Sequence, residues 1–123
     1  MIECLLTQSR FEPYSPETTA RMLGIDRDSV VDIANEYLSY VDEELDELQI
    51  AIKDDDYKRI AFASHKIKGV TANLGMVYAS KMASHINTHA EQTIKVDYNL
   101  YYATLERLLN IANNQLQTQV KTK

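Results

Sequence analysis

The chain has 123 residues, 45% of them hydrophobic and 25% charged, with a formal net charge of −5, which fits one globular domain with a single core and leaves no room for two. It has no apolar run long enough to cross a bilayer, and Met1-Ile2-Glu3-Cys4 lacks a basic segment ahead of an apolar one, so neither a membrane span nor a signal peptide is expected. The acidic balance without a dense basic patch argues against nucleic acid, and the single Cys4 cannot form an internal disulfide, in keeping with a cytoplasmic protein.

Residues 1–14 are left open: Ile2, Leu5, Leu6 and Phe11 could pack on a body, but the stretch is short and stops at Pro13. Ser15-Pro16 reads as a helix start, with serine as N-cap and proline in the first helical position, and Gly24 marks the end of that short helix. A longer helix starts around Asp26 to Asp28, with the seam Val30, Ala34, Tyr37, Val41, Leu45, Leu48 and Ile52. Asp54-Asp55-Asp56 then breaks the helix and caps the next, because acids suit a helix N-terminus and disfavour a C-terminus. The third helix runs to about Asn73 on the seam Ile60, Ala63, Ile67, Val70 and Leu74, with Gly75 just past its end. A fourth runs from about Met76 to Gln92, with Ala79, Met82, Ala83, Ile86 and Ala90 inward. Asp97 can cap the last helix, whose seam is Tyr98, Tyr102, Leu105, Leu109, Ala112 and Leu116. Both prolines lie in the first sixteen residues, so nothing after them forbids long helices.

Four long amphipathic helices with short connections bury their seams most simply as an all-α, antiparallel up-down-up-down four-helix bundle, with the short extra N-terminal helix as a lid. The bundle is expected over residues 15–116, with a segment of uncertain structure over 1–14 and a polar tail that frays over 117–123. Charge is divided along it. Residues 26–56 hold twelve acids against two bases, whereas residues 57–95 hold six bases against Glu91 alone.

The basic stretch contains His65-Lys66-Ile67-Lys68-Gly69. At 100° per residue His65 points away from the seam of its helix, and its neighbours one or two turns away are Ala61, Phe62, Lys68, Gly69 and Ala72. Gly69 in mid-helix costs about 1 kcal/mol relative to alanine. Access compensates for it, since a bare backbone lets another macromolecule reach the imidazole. Taken alone, Lys68 reads as a solvated surface lysine.

His65-x-Ile67-Lys68-Gly69, with Gly75 ten residues after the histidine, resembles the signature of histidine-containing phosphotransfer (HPt) domains. The resemblance is specific over roughly residues 57–88 and looser in the flanking helices. It implies a helical bundle that carries a phosphoryl group between receiver domains, with His65 as phospho-acceptor and its Nε2 as the attacking atom. The implied partners are response-regulator receiver domains and a sensor or hybrid histidine kinase. The chain then needs no cofactor of its own, Mg²⁺ belonging to the partner's acidic pocket, and is expected to be a monomer without a kinase domain.

Around that acceptor, Lys68 is placed to meet the oxygens of the transferred group, and Lys66 to meet a partner's acidic rim. Gly69, Ala61, Phe62 and Ala72 form the docking face. If the third and fourth helices are antiparallel, counting about 1.5 Å per residue through Gly75 returns Asn87 to nearly the level of His65. Its amide oxygen could then accept from Nδ1–H, although family members often carry the longer Gln or Glu there. Val70 stands where the family has small residues and is expected to face the core. Ser84 and His85 do not reproduce the extra catalytic groups of kinase-coupled versions, which points to receivers as the phosphoryl donors. A helical adaptor that docks receivers or partner helices without transfer is the alternative. The pair His85 and His89, four residues apart, reads as surface rather than a metal site, because no third ligand accompanies it.

Overall fold

The computed structural model describes residues 5–6 and 15–121, with side chains as far as 118, and every regular element among them is helical. Helix α1 (Pro16–Leu23) starts on Ser15, whose Oγ accepts the Thr18 N–H at 3.2 Å, and stops at Gly24, whose φ of 72° is open to glycine at little cost. Helix α2 (Arg27–Lys53) starts on Asp26, whose carboxylate takes the Ser29 N–H at 2.8 Å. Asp55 turns the chain at a φ of 52°, and Asp56 caps α3 (Tyr57–Asn73) through the Arg59 N–H at 3.2 Å. The acidic triplet thus does both jobs its position implies.

Helix α3 closes in a Schellman motif. Gly75 sits at a φ of 78°, the Met76 N–H reaches the Thr71 carbonyl at 2.9 Å, and the Gly75 N–H reaches the Ala72 carbonyl at 3.2 Å. Helix α4 (Val77–Glu91) follows at once, and Thr19 of α1 donates its hydroxyl to the Leu74 carbonyl at 3.2 Å, tying α1 to this turn. Helix α5 (Tyr98–Lys121) is capped by Asp97 through the Leu100 N–H at 3.1 Å.

The four long helices close a ring. Helix α2 packs on α3 and α5, α4 packs on the same two, and α1 lies on α2. Tyr37, Leu48, Ile60, Ile67, Met82, Ile86, Leu105 and Leu116 fill the middle with almost no exposure, each aliphatic side chain among them contributing about 1.5–3 kcal/mol. The expected seams are buried with two exceptions. Val70 and Tyr102 are half-buried, and Thr71 and Tyr101 take the interior beside them. Thr71 can do so because its hydroxyl donates to the Ile67 carbonyl at 2.6 Å, as that of Ser64 does to Ile60 at 2.7 Å. These small, internally satisfied side chains let α3 turn its inward face to α4, which leaves Val70 in the groove beside α2.

Leu5 is buried in the core, Leu6 packs against it, and Arg107 donates to the Leu5 carbonyl at 2.7 Å. Ile2 and Phe11 lie outside the described residues. Helix α5 continues past the tail boundary expected at 116, and Gln117 donates to Asn35 of α2 at 2.7 Å and to Asn113 at 3.2 Å. A polar side chain with two partners extends the helix where composition alone suggested fraying.

Candidate functional site

His65 lies in the middle of α3 and is exposed, eight residues beyond Tyr57 and eight before Asn73. The seam Ile60, Ala63 and Ile67 is buried on the opposite side, so hydrophobic packing of α3 is what turns the imidazole outward. Phe62, one turn back, is 67% exposed, an unusual position for a phenyl ring. Ala61 is half-buried, and Gly69 and Ala72 are exposed. A Cβ built at Gly69 would meet no atom within 4 Å, and its φ is not in the left-handed region. Neither backbone conformation nor internal packing therefore demands glycine there.

The two lysines of the motif behave differently. Lys66 turns toward α2, where its Nζ lies 2.8 Å from Glu47 Oε2 and 5.2 Å from the centroid of the Phe62 ring. The hydrogen bond with Glu47 holds its ammonium above the ordinary lysine range. Lys68 is half-buried and makes no ion pair among the described residues. It lies one turn after His65, on the same face of α3.

Helix α4 holds this turn of α3 by two hydrogen bonds. Ser80 Oγ donates to the Lys68 carbonyl at 3.3 Å, and Asn87 Nδ2 donates to the Ala61 carbonyl at 2.8 Å. Rising numbers on α4 meet falling numbers on α3, so this pair of helices is antiparallel. The His65 turn is bracketed, three residues after and four before, by carbonyls fastened to α4.

A family profile described as Hpt domain matches residues 32–119, most of the chain from early in α2 to near the end of α5. The chain belongs to the Hpt domain family. Comparisons with curated proteins and with solved structures return no significant match. Hpt domains are phosphocarriers of two-component phosphorelays and interact with receiver domains, and they have no kinase catalytic domain. Among the described residues no helix of this Hpt domain is long and apolar enough to cross a membrane.

Asn87 sits differently from the expectation. It is buried at 5% exposure, and its amide N–H binds the Ala61 carbonyl; among the described residues no hydrogen bond joins it to His65. The pairing of 61 with 87 and of 68 with 80 puts Ala83 level with His65 and Asn87 one helical turn further, about 6 Å. The tight Schellman turn shortens the return path that the residue count had assumed. The Ala61 carbonyl is also where the His65 N–H points in the i→i−4 pattern, so Asn87 acts on the peptide that carries His65.

His85 and His89 stack with ring centroids 6.2 Å apart, and His89 packs on Tyr101 at 5.6 Å. Among the described residues no group of three His, Cys, Asp or Glu side chains converges. Two site neighbours escaped sequence reasoning. Ser80 looks like any helical serine, and Glu47 is one of eight acids on α2. Run through the Asp54–Asp56 turn, the helix-hairpin count that singled out Asn87 sets Glu44 level with Lys66, and Glu47, one turn nearer the hairpin, is the acid that the lysine reaches.

Proposed function

We propose that His65 accepts a phosphoryl group from the aspartyl phosphate of one receiver domain and passes it to the aspartate of another. The observation that carries this reading is an exposed histidine at mid-helix in an Hpt domain, beside a glycine that the fold does not require. Neutral His65 attacks phosphorus with the Nε2 lone pair, in line with the bond to the aspartate oxygen. The N–P bond forms, the P–O bond breaks and its electron pair leaves on the carboxylate. The Nδ1 proton remains on the ring, which is formally cationic while it carries the phosphoryl group. The reverse exchange with a second receiver restores the neutral imidazole.

Lys68, which makes no ion pair among the described residues, meets the phosphoryl oxygens as charge moves onto and off them. Asn87 is a positioning residue: Nδ2 fixes the Ala61 carbonyl, and Oδ1 is the remaining acceptor for Nδ1–H, which would hold Nε2 as nucleophile. Phe62, Ala61, Gly69 and Ala72 form the docking face, with Lys66 at its rim. The bundle runs up-down-up-down, a reading supported by the antiparallel α3–α4 pair and by the Asn35–Gln117 bond between α2 and α5. The chain acts as a cytoplasmic monomer with no cofactor of its own. A sensor or hybrid histidine kinase feeds the relay, and Mg²⁺ resides in the receivers.

Incubation with purified receiver domains phosphorylated by acetyl phosphate tests this. The expected product is an acid-labile, base-stable label on the chain that His65→Ala abolishes while folding is retained. Label that survives in His65→Ala would refute the site. Receiver binding without label would identify a docking adaptor instead.

A further inference from the structure

Glu47 stands on α2 where that helix meets the edge of the His65 face. Its carboxylate lies 2.8 Å from Lys66 Nζ, and the two side chains are 58% and 36% exposed. The same ammonium lies over the Phe62 ring at 5.2 Å, so Lys66 is fastened between an α2 acid and the exposed phenyl group of its own helix. Lys68 has no such tether among the described residues. Among the described residues the two lysines of the motif therefore differ: Lys68 is unpaired, and Lys66 is already neutralised.

We propose that Glu47 is a partner-selectivity residue: by holding Lys66 in an internal ion pair, it withholds one positive charge from the docking face. This rests on the relay reading above. A receiver presents the acidic pocket around its phospho-accepting aspartate. To recruit Lys66 it must offer carboxylates that outcompete Glu47, and it must then tolerate Glu47 as a freed negative charge at the rim. Weakly acidic faces gain nothing from Lys66 and are repelled by Glu47 when the pair opens. Exchange is physically accessible because an exposed ion pair contributes little to stability and is weakened by salt. Discrimination thus comes from a repulsive element beside the attractive one. The contacts of α4 play no part in it, since Ser80 and Asn87 reach α3 from the other flank.

The test uses the full chain, a panel of purified receiver domains phosphorylated with acetyl phosphate and Mg²⁺, and phosphoramidate as a donor that needs no docking. Glu47→Gln removes the charge and keeps the shape. At an ionic strength of about 20 mM its kcat/KM for receivers should rise about threefold through KM, and the gain should vanish near 0.5 M, as expected for a charge acting through water at about 8 Å. The ranking of receivers across the panel should flatten. Lys66→Ala should cost less in the wild-type background, where it leaves Glu47 unpaired at the rim, than in the Glu47→Gln background, where it erases the gain. A loss of kcat/KM in Glu47→Gln, a change that salt does not screen, or an equal effect of Lys66→Ala in both backgrounds would overturn the proposal while leaving the relay intact. A wild-type chain labelled by phosphoramidate but by no receiver would overturn the relay reading, and this proposal with it.

Discussion

Gly69 separates what the fold needs from what the partner needs. Its backbone is helical, and an added Cβ would meet no atom within 4 Å. Gly69→Ala should therefore recover the helix-propensity difference in full, about 1 kcal/mol. For a domain of this size that is an increase of about 4 °C in Tm. Gly69→Gln should give nearly the same stabilisation, because glutamine is close to alanine in propensity and its side chain extends into solvent. Function should move the other way. A glutamine one turn from His65 stands in the path of a receiver, and losing one well-packed docking contact of about 1.4 kcal/mol slows transfer about tenfold. Differential scanning calorimetry and single-turnover transfer from a phosphorylated receiver measure the two effects on the same samples. Labelling by phosphoramidate, which needs little room, should fall much less than transfer from a receiver. A Gly69→Gln chain that is more stable and equally fast would show that the glycine is not there for access. A Gly69→Ala chain that is less stable would show that the fold uses the glycine after all.

Lys68→Ala should slow transfer about tenfold with little change in Tm, since a charge-assisted contact at an exposed site falls at or below the low end of about 1.5–3 kcal/mol; a loss fully removed by 0.5 M salt would reduce Lys68 to a field effect. Asn87→Ala should cost about 1–2 kcal/mol of stability, because the bond to Ala61 disappears from a buried position. It should also slow transfer a few-fold, and Asn87→Gln should recover rate better than stability if Oδ1 orients His65; recovery of both together would mean a packing role alone. Tyr37 is buried with its hydroxyl unpartnered among the described residues, and burial, then the nearby Glu44 carboxylate, push its ionisation above the ordinary tyrosine range. With the folded value raised, its contribution is complete below about pH 10 and is lost as pH rises beyond it. Urea midpoints at pH 8, 10 and 11 should fall less steeply for Tyr37→Phe, and at pH 8 the variant should be at least as stable as the wild type; an unchanged alkaline slope would refute the assignment.

Helix positions were legible because the punctuation is unambiguous: Ser15-Pro16, Gly24, Asp26, the Asp54–Asp56 triplet, Gly75 and Asp97 each stand where an end is observed. Apolar spacing located most of the core, but it could not see that α3 turns toward α4. That rotation depends on Ser64 and Thr71, polar residues whose hydroxyls are satisfied within their own helix and whose small size permits a close approach. A count of apolar residues alone passes over them, although each lies four residues after a seam isoleucine, on the flank of the same face. The outward direction of His65 follows from its angle to the seam and needed no structure. The partners of Asn87 and Lys66 did, because each depends on the register between two helices, and an error of one turn moves a side chain from one neighbour to the next. The hairpin count set Asn87 near the level of His65, and its amide reaches the Ala61 carbonyl, four residues before the histidine.

The two tethers from α4 also set a rule for how the chain can change over evolutionary time. Ser80 and Asn87 reach α3 across a three-residue turn closed by Gly75 and fastened to α1 through Thr19. Inserting or deleting one residue between Leu74 and Val77 would rotate α4 by about 100°. Both tethers would then swing off the carbonyls they hold, and the core face of α4 would turn partly to water. Length variants should therefore be purged from this turn. Among the described residues, the six from Gln92 to Asp97 make only local hydrogen bonds and none across to another long helix. Lineages of this domain should accumulate their insertions there, at the end of the bundle away from the α3–α4 turn.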